Sequence, residues 1–168
     1  MSANDTESRL QALEARMAVL EDERAIGRLK QDYAACCDAG YDLDGLHALF
    51  APDGRWVANG YGEFNGPDRI RAYFEELAPT VAQVLHYITS PRVDVAPDGR
   101  TARGRFYLLC LCRSSRPDDR SLIDPVVILG AYDDSFVKLD GRWLFQELRV
   151  NVQYSKRLKN PAQPSRPV

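Results

Sequence analysis

The chain has 168 residues, of which 45% are hydrophobic and 27% charged, and a formal net charge of −2 at pH 7. That is enough length for one domain with a real core, and the composition is that of an ordinary globular protein rather than a disordered or fibrous one. The slight acidity excludes the basic face of a nucleic-acid binder, no apolar run approaches the ~20 residues of a membrane span, and the polar start Met1-Ser2-Ala3-Asn4-Asp5 is unlike a signal peptide.

From about Glu7 to Gln31 the pattern is helical, in two registers. Leu10, Leu13, Met17 and Leu20 give a narrow seam, expected to pack on a neighbouring subunit or on its own domain. Ile26, Leu29, Tyr33 and Cys37 then form a broader, core-facing stripe, and Asp38-Ala39-Gly40 ends the helix with a C-terminal glycine. A short helix is expected over Leu43–Phe50 with Asp42 or Asp44 as N-cap, then a turn at Ala51-Pro52-Asp53-Gly54 and a strand at Arg55-Trp56-Val57-Ala58. Asn65-Gly66-Pro67-Asp68 opens another helix, whose apolar face is Ile70, Tyr73, Phe74 and Leu77.

Beyond Val81 the pattern changes to strands: Val84–Val95, Thr101–Arg113, Leu122–Leu139 and Arg142–Tyr154. The last two are joined by the hairpin signal Asp140-Gly141. The division is a helical extension over residues 1–22, one domain over 23–155 and a mobile tail over 156–168. Helices first and long strands afterwards imply an α+β fold, in which a cone-shaped, curved antiparallel sheet wraps the N-terminal helices and encloses an apolar pocket.

The chemistry centres on two distant residues. His86 lies in Val84-Leu85-His86-Tyr87-Ile88, where strand alternation puts its ring on an apolar face with Val84 and Ile88. A buried imidazole needs a hydrogen-bond partner, since leaving it unpaired costs about 1–3 kcal/mol. Asp38 sits at a helix C-terminus, the wrong end of the dipole for a carboxylate, and needs a compensating partner too. If the two meet, the carboxylate fixes the tautomer and makes the other ring nitrogen a general base near neutral pH. A core histidine bonded to a backbone carbonyl is the plain alternative. His47 reads as a solvated side chain on the short helix.

Four cysteines, Cys36-Cys37 and Cys110-x-Cys112, lack zinc or thioredoxin-like spacing and read as reduced thiols packed like small apolar residues. Asp133 and Asp134 diverge to opposite faces of a strand. No metal and no cofactor are expected. Trp56, Asn59 and Tyr61, on and just after the first strand, are candidate pocket contacts, although loop polarity explains Asn59 and Tyr61 equally well.

Ala25-Ile26, Tyr33-x4-Asp38, Leu46-x2-Leu49-Phe50-Ala51-x-Asp53-Gly54, Asn65-Gly66-Pro67, His86-Tyr87 and Asp140-Gly141-Arg142-Trp143 occur in a telling order. In these features, over roughly residues 20–155, the chain resembles the SnoaL-like branch of the nuclear-transport-factor-like superfamily. That branch includes scytalone dehydratase, hexachlorocyclohexane dehydrochlorinase and bile acid 7α-dehydratase. The resemblance implies that Asp38 and His86 match the catalytic Asp–His pair and that Tyr33 matches the tyrosine of the bile acid enzyme. It also implies that Arg149 matches a pocket arginine, although a surface pair with Glu147 is a serious rival for that residue.

The chain departs from its relatives in two places. Cys37 stands where scytalone dehydratase has a tyrosine, and Phe106–Cys112 holds neither the second histidine nor the aspartate that relatives use there. The resemblance implies a cofactor-independent lyase, a dehydratase acting on a hydrophobic cyclic or polycyclic small molecule; the polar start points to a cytoplasmic protein, and the Leu10–Leu20 seam and exposed sheet face to a homo-oligomer, for which the resemblance favours a trimer before a dimer. The alternatives are an isomerase or polyketide cyclase of the same fold, and a non-catalytic assembly protein like the β subunits of ring-hydroxylating dioxygenases.

Overall fold

The structure, a computed structural model, describes residues 3–158. Its elements are α1 (Ala3–Asp38), α2 (Leu43–Ala48), β1 (Phe50–Ala58), β2 (Gly62–Asn65), α3 (Pro67–Leu77), a single 3₁₀ turn (Ala78–Thr80), β3 (Val81–Val95), β4 (Thr101–Ser115), β5 (Ile123–Leu139) and β6 (Arg142–Arg157). The strands form one open, curved six-stranded sheet in the order β2-β1-β6-β5-β4-β3. All neighbours are antiparallel except β1 and β6. This is the α+β architecture expected of the pattern, with the helices packed on the inner face.

α1 continues without a break through the charged stretch after Leu20. Its C-terminal half buries Ile26, Leu29, Tyr33 and Cys37 against the sheet, the stripe read from the sequence. Its N-terminal seam does not fold back onto the domain: Leu10, Leu13, Met17 and Leu20 are all at least half exposed. The helix stops where Gly40 turns left-handed at φ 83°, with Gly40 and Tyr41 both donating N–H to the Cys37 carbonyl at 3.2 and 3.1 Å. Tyr41 also has a positive φ of 66°, and stacking of its ring on Phe74 at 5.4 Å holds this uncommon conformation.

The segment Ala51-Pro52-Asp53-Gly54, expected as a turn, belongs to β1. Ladder register with β6 shifts between Phe50 and Arg55, so the Pro and Gly occupy a bulge rather than end the strand. α2 accordingly ends at Ala48, with Asp42 as its N-cap. The short β2 went unpredicted because it has too few apolar residues to show alternation. β6 runs through Lys156 and Arg157, two residues into the segment expected as tail, while residues 159–168 of that tail lie outside the described residues. Asp140 and Gly141, with φ 48° and 78°, form the tight hairpin turn that their sequence demands. Among the described residues no helix is long and apolar enough to cross a membrane.

Candidate active site

Sheet register builds the site. His86 pairs with Cys110, Cys110 with Ile128 and Ile128 with Ser155, so these four form one row across β3, β4, β5 and β6. Val84, Cys112, Val126 and Arg157 form the next row in the same way. Directly paired residues share a face, and all eight line one cavity of about 300 Å³ between the sheet, α1 and α3.

Asp38 and His86 meet at this wall. Asp38 Oδ1 lies 2.7 Å from His86 Nδ1, and both carboxylate oxygens also accept the His86 backbone N–H at 3.1 Å. An ionised carboxylate only accepts, so Nδ1 carries the proton and Nε2 holds the lone pair. The three contacts also give the helix-end carboxylate the partner its position demands. Burial of the ring holds the His86 pKa below the usual histidine value, against the opposing pull of Asp38, and the Lys30 charge lowers it further. The imidazole is therefore neutral, and thus basic, at neutral pH.

Tyr33 borders the same cavity, 3% exposed, and its hydroxyl accepts a bond from Trp56 Nε1 at 2.9 Å. Having filled an acceptor site from the indole, the hydroxyl keeps its own proton to give. Burial drives the phenol pKa well above its usual value, so the proton stays on oxygen. Trp56 and Tyr61 also line the cavity. Trp56 packs on Tyr73 and Phe74 at ring separations of 5.0 and 5.7 Å, and Phe64 stacks on Tyr73 at 4.2 Å. The wall formed by β1, β2 and α3 is thus aromatic, a surface suited to flat rings.

Arg149 and Asn59 are not among the cavity's lining residues. Leu148 and Val150 take the inward positions of β6, so alternation turns Arg149 outward, where Nε donates to Glu147 at 2.8 Å. Asn59 spends its amide on the backbone of Val152, donating to the carbonyl at 2.9 Å and accepting the N–H at 2.6 Å. It clamps β6 to the end of β1.

The cavity's arginine is instead Arg157. Gly130 pairs with Val152 but Leu129 with Tyr154, so Gln153 is an extra residue in β6. This bulge reverses the in–out parity and turns Ser155 and Arg157 inward. Gly130 permits the close approach at the bulge: a Cβ there would come within 2.5 Å of the Asn151 carbonyl oxygen.

Lys30 was also missed. It is fully buried, 2.8 Å from Asp134 Oδ2 and 3.1 Å from the centre of the ring of Tyr132, itself a lining residue of the cavity. Burial lowers Lys30 to about 8 and raises Asp134 to about 6. Its position three residues before Tyr33 and four after Ile26 places it on the core stripe, a rule that its charge obscured.

Comparison with known proteins gives a consistent picture. The model of the SnoaL-like domain matches residues 18–149. A type 2 hexachlorocyclohexane dehydrochlorinase (LinA) superposes with a TM-score of 0.77 at 20% identity, over 91% of this chain and 99% of the other. The type 3 LinA of Novosphingobium barchaimii LL02 gives 0.75 at 21% identity, over 91% and 99%. A protein of Novosphingobium aromaticivorans DSM 12444, named as a candidate scytalone dehydratase, gives 0.74 at 22% identity, over 89% and 99%.

Proposed function

The chain belongs to the SnoaL-like domain family, and from that premise we propose that it is a cofactor-independent lyase, a dehydratase that removes water from a hydrophobic cyclic or polycyclic small molecule. The observation that carries this reading is the 2.7 Å contact between Asp38 and the ring of His86 at the wall of an apolar cavity. The superposition on dehydrochlorinases and on a scytalone-dehydratase-like protein supports an enzyme that processes small molecules.

In the proposed reaction, His86 Nε2 takes a proton from the carbon next to a ring carbonyl, while Asp38 stabilises the imidazolium that results. Charge passes to the carbonyl oxygen, where the Tyr33 hydroxyl donates a hydrogen bond; a preorganised donor of this kind is typically worth about 3 kcal/mol of barrier. The electron pair then forms the C=C bond as the β-hydroxyl departs, protonated by the imidazolium, so that base and water are both returned. Trp56 and Tyr61 stack against the ring system. The working unit is a homo-oligomer, a trimer before a dimer.

The test is a panel of cyclic β-hydroxy ketones incubated with the protein and followed by mass spectrometry for loss of one water. At least one member should dehydrate, and His86→Ala should lower that rate about 10²–10⁴-fold. A His86→Ala protein with near-native turnover refutes the assignment.

A further inference from the structure

The cavity is mostly apolar, with the His86 ring and Tyr33 hydroxyl on its wall. Among the described residues that line it, Arg157 is the only one with a permanently charged side chain. Its ion pair within the described residues is a long one. Asp124, the nearest carboxylate, accepts two bonds from Arg116, at 2.7 Å from Nε and 3.0 Å from Nη2, while Arg157 stands 3.9 Å from the same carboxylate. Arg116 holds Asp124 by the shorter contacts, so the longer ion pair ties Arg157 to it only loosely.

Arg157 is also held in place. Nη1 donates to the Ser114 carbonyl at 2.8 Å, the one hydrogen bond of its five donor hydrogens among the described residues. Its side chain is about one-third exposed, so the group stands at the mouth, with Ser155 beside it on the same strand. The Gln153 bulge turns both residues inward, and bulges commonly re-aim side chains beside a site.

Register gives the distance from Arg157 to the base. Ser155 is three strands from His86 along one row, roughly 14 Å between backbones at about 4.8 Å per strand, and Arg157 lies one pair further along. Side chains reaching inward from both ends narrow that gap to the length of a two- or three-ring skeleton.

We propose that Arg157, assisted by Ser155, is the specificity-determining group of the site, and that it selects substrates whose apolar ring skeleton ends in a carboxylate distal to the reacting carbon. The proposal rests on the lyase reading for the identity of the reacting end, but the charge selection stands on the pocket alone. Planar guanidinium matches planar carboxylate, and such charge-assisted bonds are about twice as strong as neutral ones.

The test reads binding, not turnover, on the full chain. Biphenyl-4-carboxylate and its primary amide serve as probes of equal shape, titrated by calorimetry at low and high salt. The carboxylate should bind about tenfold more tightly than the amide, and the preference should shrink with salt. Arg157→Met should bring the two within twofold, with circular dichroism unchanged to show that the fold is intact. Arg157→Lys should keep part of the preference.

Equal binding of both probes to the native protein, binding of neither, or a preference that survives Arg157→Met overturns the proposal. His86→Ala should leave the preference intact, so a failed lyase assignment and a failed charge selection give different results.

Discussion

A carboxylate at a helix C-terminus is unfavourable by the macrodipole, yet Asp38 holds three hydrogen-bonding contacts with one residue. The arrangement sets the pH response of His86. Burial depresses its pKa, and Asp38 pulls it back up. Catalysis needs the neutral ring, so activity should hold as pH falls through about 6.5, the usual histidine value, and drop only below it. Asp38→Asn removes the upward pull. The acid limb of kcat/KM should therefore move to still lower pH, while the maximal rate falls by about 10²–10⁴-fold because the amide no longer fixes the tautomer or stabilises the imidazolium. A pH–rate profile of the two proteins checks both parts. An acid limb unmoved in Asp38→Asn would mean that His86 is not the titrating base. The pairing itself was legible in the sequence because both residues carried an unmet need: a polar ring on an apolar strand face, and an anion at the wrong helix end. Arg157 was not, since its inward turn depends on one extra residue in β6 whose register with β5 no local pattern displays.

The long elements supplied the periodic signals, and there expectation and structure agree within a few residues: the α1 stripe, β3 through β6, and the α3 face with Ile70 and Phe74 buried. Signals failed where tertiary contacts overrode local chemistry. Pro52 and Gly54 sit in a strand because β6 runs parallel beside them. Lys30 sits in the core because Asp134 and the Tyr132 face receive it. That pair ties α1 to β5 behind the cavity wall, and Asp134 also accepts the Arg149 backbone N–H at 3.1 Å. A buried ion pair contributes little net stability, whereas a lone buried charge is costly. Lys30→Met and Asp134→Leu should each cost about 3–5 kcal/mol in urea unfolding, and the double variant should be markedly less destabilised than the sum of the two. Additive losses would show that the groups act independently.

Among the described residues, two apolar surfaces have no covering element. One is the α1 seam of Leu10, Leu13, Met17 and Leu20. The other lies on the outer sheet face, where Tyr87, Leu109, Leu129 and Tyr154 form one cross-strand row and each is at least 37% exposed. Strand alternation explains the second: the residues between the cavity-facing ones point outward, and here they are apolar instead of the polar set that a solvated face would carry. A contiguous apolar patch on a folded protein marks an interaction surface, and the proposed homo-oligomer would bury it. Light scattering at micromolar concentration should give a mass that is a multiple of one chain, three in the preferred case. Tyr87→Lys with Leu109→Lys, which puts two cations at one end of that row without replacing a cavity residue, should shift the mass toward one chain while the fold persists by circular dichroism. The cavity forms within a single chain, so the dissociated variant should keep its affinity for ring-shaped probes. A native protein already at the mass of one chain would remove the oligomer and leave the outer row to a different partner.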